Sequence, residues 1–346
     1  MPLTPIMNIG IRPREIPIEV TLACNLSCYY CFNKNVKLGN KGLSTKNIMK
    51  IINKIHDAGI NVVRFTGGEP LIRKDIFHLL EYAKSKNLYV ILNTNGVLID
   101  KNNIEYIKRN VDNVLITFNG WDADQEKKIS GNKLAFKKKI DAIKLLKKCG
   151  IKPIRCGTIA TKKNIQNLAK FFEIVRDLEV DEWEMFRPIP SKTCPHSIDN
   201  QDVKRLVEKL LIFKKEYENC YITNAIPFCS YEPEKIRQVA TGAKFDDGHV
   251  RIVVGADGHA KPSYFLTEDL GDVLKKDITS CWNNDFAKKI RSLQMVSKIC
   301  KRCIYLKRCK GGSRFIAKFV NGSYAAMDPL ARPEIYKNLL FSPVTC

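Results

Sequence analysis

Three cysteines, Cys24, Cys28 and Cys31, stand together in the run CNLSCYYC. This C-x3-C-x2-C spacing supplies three thiolates to an iron–sulfur cluster that takes four ligands, so one iron is left open. A protein that only relays electrons encloses its irons with cysteine; an open iron points to chemistry on a bound ligand. Zinc also takes thiolates, but its usual spacings pair one CxxC with another or with histidines, and no histidine lies near this run. Further along, Thr66-Gly67-Gly68-Glu69-Pro70 sets two glycines before a carboxylate. Gly67 and Gly68 let the backbone approach a ligand closely, and Glu69 can accept from an ammonium group.

The elements that must hold these residues follow a βα rhythm. Pro17 to Leu22, Val62 to Phe65, Tyr89 to Leu92, Val114 to Phe118, Pro153 to Ala160 and Glu182 to Phe186 read as strands. Between them lie helix patterns, among them Leu134 to Lys148 and Asn164 to Leu178, and Asp199 to Glu218 closes the series. Ser44 is placed to cap a helix whose Ile48, Ile51, Ile52 and Ile55 recur at helical spacing. The cysteine run, the Gly-Gly-Glu turn, Asn93-Thr94-Asn95-Gly96 and Thr117-Phe118-Asn119-Gly120 all follow strand C-termini, where α/β folds bind ligands. The expected fold class is α/β. After Cys220 the composition shifts to loops, a hairpin turning at Ala256-Asp257-Gly258-His259, and clustered cysteines, placing a boundary near residue 222.

The chain of 346 residues, 45% of them apolar, can bury one large core and a smaller one. It has no signal-peptide pattern at Met1-Pro2-Leu3-Thr4 and no apolar run of membrane-spanning length, so a cytoplasmic location and no membrane partner are expected. Thirteen cysteines in a reducing compartment argue for metal ligation over disulfides. The formal charge of +22 raises the question of nucleic acid. Its lysines, however, fall in helix patterns such as Lys137-Lys138-Lys139 and Lys147-Lys148, which read as solvated faces, and nucleic acid is disfavoured as a partner.

The cysteine run and the Gly-Gly-Glu-Pro turn, in this order, resemble the radical S-adenosylmethionine (SAM) superfamily. The resemblance implies a partial (β/α)6 TIM-like barrel over 15–222, after an N-terminal extension of 1–14. It also implies a [4Fe-4S] cluster on Cys24, Cys28 and Cys31 whose unique iron is chelated by SAM. Tyr30, Gly67, Gly68, Glu69, Asn95, Thr117 and Asn119 are then the candidate SAM contacts. The family often has Ser and Asp where Thr117 and Asn119 stand, and an Arg near Ser130; for Asn95 and Asn119, Asn-Gly is also simply good turn chemistry.

Cys300-x2-Cys303-x5-Cys309 followed by Lys310-Gly311-Gly312 resembles the SPASM extension of radical SAM enzymes. This implies a small Cys-rich SPASM/twitch-like α+β domain over 223–346. A complete SPASM domain holds two auxiliary [4Fe-4S] clusters. Here Asp247, Ser263 and Ser313 stand where thiolates are expected, and serine oxygen is a harder ligand for iron. One auxiliary cluster is therefore expected to be absent. The other would use Cys300, Cys303 and Cys309, with Cys229 fitting the upstream start of the pattern and terminal Cys346 or a noncysteine ligand as fourth. A zinc knuckle or structural thiols are the alternative reading of this group. Cys149, Cys156, Cys194, Cys220 and Cys281 stand alone and read as small hydrophobes.

The implied activity is reductive cleavage of SAM to a 5′-deoxyadenosyl radical for hydrogen abstraction, in the maturation of a peptide, a protein or a metalloenzyme cofactor. Gly311-Gly312-Ser313-Arg314 further resembles archaeal tungsten-enzyme cofactor-modifying proteins. A reduced ferredoxin or flavodoxin-type protein is the implied electron donor. Tetrapyrrole side-chain modification, RNA modification and a noncatalytic iron–sulfur carrier are the competing readings.

Overall fold

The computed structural model describes residues 12–33, 42–190 and 198–336. Its centre is a single sheet in the order β10-β9-β8-β1-β2-β3-β4-β5-β6-β7. Strands β1 (Ile16–Thr21), β2 (Val62–Gly67), β3 (Tyr89–Thr94), β4 (Asn113–Thr117), β5 (Ile154–Ile159), β6 (Glu182–Phe186) and β7 (Cys220–Ile222) are parallel and consecutive in space. Each of the six predicted strands is present within a few residues of its expected bounds; β7 is a short addition.

The helices between strands are α1 (Thr45–Asp57), α2 (Ile76–Ser85), α3 (Ile104–Asn110), α4 (Ala123–Ser130), α5 (Leu134–Lys148), α6 (Lys162–Gln166), α7 (Leu168–Asp177) and α8 (Asn200–Phe213). Ser44 caps α1 by accepting from the Asn47 N–H, and Ile48, Ile51, Ile52 and Ile55 are fully buried. The pattern over Asn164 to Leu178 is broken at Asn167, where the carbonyls of Lys163 and Asn164 both take the Asn167 N–H. On β1, Ile16, Ile18 and Val20 join the main hydrophobic core, while alternation puts Glu15 and Glu19 on the other face. There Glu15 holds Arg64 of β2 through two 3.0 Å bonds and Arg251 at 2.7 Å. Arg155 pairs with Glu184 across β5 and β6.

Past the predicted boundary the chain returns to the opposite edge of the same sheet. Strand β8 (Val253–Val254) runs parallel to β1, pairing Val254 with Ile18, and turns antiparallel into β9 (His259–Lys261) and then β10 (Gly271–Asp272). The hairpin thus extends the barrel sheet beside the strand that leads to the cysteine run. One apolar core cluster also contains residues from both sides of position 222, from Ile18 to Trp282 and Leu330. No helix among the described residues is long and apolar enough to cross a membrane.

Candidate active site

Strand β1 ends in Thr21 and delivers the chain into the loop of Cys24, Cys28 and Cys31. Two neighbours fix that loop. From one side the Gly67-Gly68-Glu69 turn docks on it: Gly68 N–H donates to Thr21 O at 2.7 Å and Glu69 N–H to Ala23 O at 2.8 Å. A Cβ on Gly68 would lie 2.1 Å from the Ala23 carbonyl oxygen, and one on Gly67 2.1 Å from that of Thr21. The close approach that both glycines permit here is to the cysteine loop itself. From the other side the end of α4 receives the loop, with Ser27 N–H on Ser130 O and Tyr29 N–H on Ile129 O. Ser130 therefore positions the loop through its carbonyl.

Glu69 is fully buried and its carboxylate organises the turn. One oxygen accepts from Leu71 N–H and Thr94 Oγ1, the other from Asn95 N–H at 2.7 Å. Burial raises its pKa, against those hydrogen bonds and the nearby Lys139 charge. Asn95 Nδ2 donates to Asn25 Oδ1 at 2.7 Å and approaches Cys24 Sγ at 3.8 Å. The Asn119 side chain donates to the Tyr30 hydroxyl and accepts from Ile159 N–H at 2.6 Å, which ties the cysteine loop to the ends of β4 and β5. Thr117 ends β4, half-buried, within the same rim. The structure therefore brings the candidate residues from β1, β2, β3 and β4 to one end of the barrel.

The thiols share this rim with unequal exposure: Cys24 is open to solvent, Cys28 and Cys31 half-buried. Burial raises Cys24, and raises Cys28 to about 11, opposed by the Lys139 charge and the Tyr30 hydroxyl; Cys31 is within electrostatic reach of both. Among the described residues no three His, Cys, Asp or Glu side chains converge closely enough for a single ion. A four-iron cluster spaces its thiolates more widely, and a loop with one thiol at the solvent edge suits a cluster that must meet a second ligand.

Lys139 was the residue missed. Expected on a solvated face, it is buried on α5 with its Nζ 2.7 Å from Glu126 Oε1 of α4, and it faces Cys28, Glu69 and Cys156 electrostatically. The signal was present: Ala135, Lys139, Ala142, Ile143 and Leu146 fall on one helical face, and the others are apolar. Lys137 and Lys138 are exposed as expected. Cys156 faces the core, and burial pushes its thiol up to about 12.

Residues 18–178 match the sequence profile of the Radical SAM superfamily. The matched segment is 161 of the chain's 346 residues. The chain is 24% identical over 337 residues to an AdoMet-dependent heme synthase of Methanosarcina barkeri, covering 92% of this chain and 95% of that protein. It is 29% identical over 176 residues to a PqqA peptide cyclase of Granulibacter bethesdensis, covering 50% and 46%. The fold is similar to Streptococcus suis SuiB bound to S-adenosylmethionine, with a TM-score of 0.77 at 20% identity over 93% of this chain and 78% of SuiB. The protein is an enzyme whose cofactors are a [4Fe-4S] cluster and SAM.

A second set of thiols lies away from the barrel rim. Cys229, Cys300, Cys303 and Cys309 line one apolar cavity together with Phe228 and Tyr305. Burial raises Cys229 to about 12 and Cys309 to about 11, and Cys229 feels the other three thiols. The left-handed run Lys310, Gly311 and Gly312, with φ of +56°, +77° and +80°, turns the Gly311 and Gly312 N–H groups onto Cys309 Sγ. Successive N–H groups so arranged make an anion cradle. Cys346 and Cys194 lie outside the described residues.

Asp247, Ser263 and Ser313, the positions at which the SPASM resemblance implies thiolates, are buried and hydrogen-bonded. Asp247 accepts from Arg314 N–H at 2.6 Å, Asp328 accepts from Ser313 N–H at 2.9 Å and grips Arg187 through both oxygens, and Ser313 caps the helix Arg314–Asn321. Ser263 Oγ accepts from the Phe265 and Leu266 N–H groups.

Proposed function

We propose that this radical SAM enzyme modifies a peptide or protein, with one auxiliary [4Fe-4S] cluster held by Cys229, Cys300, Cys303 and Cys309. The observation that carries the reading is the contrast in donor sets: three thiols on a rim loop with Cys24 exposed, four lining one apolar cavity. A reduced cluster with SAM bound supplies a carbon-centred radical able to take hydrogen from an unactivated carbon. Cys24, Cys28 and Cys31 would hold that cluster, with Tyr30, Gly67, Gly68, Asn95, Thr117 and Asn119 shaping the SAM cleft. Glu69 holds the turn in place and Lys139 sets a positive charge behind Cys28. No side chain is needed as an acid or base for the hydrogen transfer; the residues orient and exclude water. A ferredoxin or flavodoxin-type donor supplies the electron.

Peptide chemistry is favoured by the partial likeness to a peptide cyclase and by the fold shared with SuiB, which has also been seen with its precursor peptide SuiA. Tetrapyrrole side-chain modification is the second reading, favoured by the likeness to the heme synthase over nearly the full length of both chains. The test is anaerobic reconstitution followed by reduction with dithionite in the presence of SAM. Formation of 5′-deoxyadenosine, lost when Cys24, Cys28 and Cys31 are changed together to Ala, is expected. SAM left intact by a protein with its full iron content would overturn the reading in favour of an iron–sulfur carrier.

A further inference from the structure

Between Asp285 and Asp328 the chain carries eleven Lys or Arg and no Asp or Glu, as much positive charge as half of its net +22. Cys300, Cys303 and Cys309 lie inside this segment, on and between the short helices Lys298–Lys301 and Leu306–Cys309. The thiols turn inward to the apolar cavity, while Lys298, Lys301, Arg302, Lys307 and Arg308 are exposed on the outside of the same turns. Ile304, flanked in sequence by these charges, is 50% exposed. The Arg308 guanidinium donates to the Arg237 carbonyl at 3.0 Å, which joins the helix Pro233–Val239 to the same face. The carboxylates of that helix and its cap are matched: Glu234 pairs with Arg237 at 2.8 Å and accepts from the Tyr305 hydroxyl at 2.5 Å, and Glu232 pairs with Lys235 at 2.9 Å. Glu334, exposed beside cavity-lining Pro333, subtracts one charge. No ion pair among the described residues engages Lys298, Lys301 or Lys307.

A surface that is basic at its rim and apolar within, and that lies directly over a set of thiols, suits an acidic protein that must come close to those thiols. We propose that the face formed by Lys298, Lys301, Arg302, Ile304, Lys307 and Arg308 is the docking site of the electron donor, a small acidic protein with a one-electron centre. The inference rests on the reading of the four thiols as a cluster site and deepens it. The donor gives up one electron and the enzyme takes it; no atom is transferred. Opposite charge speeds the encounter, and Ile304 gives the docked pair an apolar contact. Because the basic residues interleave with Cys300, Cys303 and Cys309, a protein seated on them stands next to the thiols, and electron transfer falls steeply with distance. At the barrel rim, by contrast, the opening beside Cys24 is needed for SAM and substrate. RNA phosphates are drawn to the same charge, but single-stranded bases stack on exposed aromatic faces. Here the exposed large side chain is aliphatic, and Tyr305 is half-buried with the Arg237 guanidinium over its ring.

The test uses the reconstituted enzyme and two probes, a purified flavodoxin of strongly negative net charge and an oligouridine strand of about 20 nucleotides, with binding followed by calorimetry. Flavodoxin should bind, and more weakly as salt is raised. Changing Lys298→Glu, Lys301→Glu and Lys307→Glu together should weaken it by about tenfold or more. The same reversal at Lys138, Lys144 and Lys148, exposed on α5, should weaken it by less than about threefold, since only the general field changes. SAM cleavage driven by reduced flavodoxin should slow in the first triple variant, and cleavage driven by dithionite, which needs no docking, should not. Should that variant lose iron, Ile304→Asp on the exposed face takes its place in both comparisons. Equal weakening by the two triple variants, no flavodoxin binding by the unaltered enzyme, or an unchanged flavodoxin-driven rate overturns the site. Loss of oligouridine binding in the first variant with flavodoxin binding intact overturns it in favour of RNA. Absence of dithionite-driven cleavage overturns the reading of the chemistry and leaves the binding comparison to decide the docking site by itself.

Discussion

The two thiol groups of this protein differ in almost every physical respect. The barrel group sits on a loop between two docking surfaces, keeps Cys24 in solvent and has three members. The C-terminal group lines an apolar cavity, buries Cys300 and Cys309, and has four members drawn from distant parts of the chain. Three thiols at an edge would leave one iron of a four-iron cluster open to a second ligand; four thiols around one cavity would match all four irons. On the proposed reading, SAM chemistry belongs to the first group and electron transfer to the second.

The largest effect that could break this comparison comes from changing Cys24, Cys28 and Cys31 together to Ala. SAM cleavage should vanish while about four irons per chain remain in the C-terminal cavity. Complete loss of iron would show that the second group holds no cluster. Cys229→Ala examines the other side of the contrast: iron should fall by about half, with the three-cysteine rim still loaded. If iron is unchanged, Cys229 is only a wall of the cavity and its fourth ligand comes from elsewhere. A narrower change, Gly68→Ala, forces a methyl into the Ala23 carbonyl and should displace the cysteine loop. Iron content and SAM affinity at the rim should drop severalfold while the C-terminal cavity keeps its iron, because strain at one docking contact is local. Equal loss at both sites would mean that the turn supports the fold and not the loop.

Much of the barrel side was legible because its determinants are local. Strand, turn and thiols follow one another along the chain, so Gly67, Gly68 and Glu69 could be read before any contact was known. What could not be read was where those residues point. Glu69 accepts from the third strand's own turn, and the glycines accommodate Ala23 and Thr21. On the C-terminal side Cys229 was legible only as the upstream start of a resembled pattern, since it lies far from Cys300 in sequence and meets it at one cavity only through folding. The place of Asp247 and Ser313 was similarly hidden: a departure from the resembled cysteine pattern is visible in sequence, but the Arg187–Asp328 pair and the Asp247 bond to Arg314 N–H are not. Lys139 failed for a different reason, a basic residue being counted with its neighbours by composition and not by helical position.

The smallest predicted effect separates the two regions by acid. Below the rim, burial alone would raise Glu15, but the Arg64 and Arg251 guanidiniums overcome it and hold the carboxyl at about 2. Its folded pKa is depressed from the ordinary 4.5, so its contribution is fully present above that value and is lost as pH falls toward 2. Near the C-terminal network, burial raises Asp246 and Asp247, and the negative charge of Asp246 raises Asp247 further. A raised carboxyl acts in the opposite sense: the folded state binds the proton more tightly, so stability grows as pH falls through the raised value. Mild acidification from about pH 8 to about pH 5 should therefore raise the amide protection factors around Asp246 and Asp247, taken relative to the intrinsic exchange rate at each pH, and leave those of the β1–β2 floor unchanged. Glu15→Gln should destabilise the barrel by about 3–5 kcal/mol at neutral pH, because Arg64 and Arg251 would keep their charge without its partner. The same variant should unfold with a weaker dependence on acid below about pH 4.5. An unchanged acid profile would mean that Glu15 carries none of the linkage, and that the floor of the barrel is held by its apolar face alone.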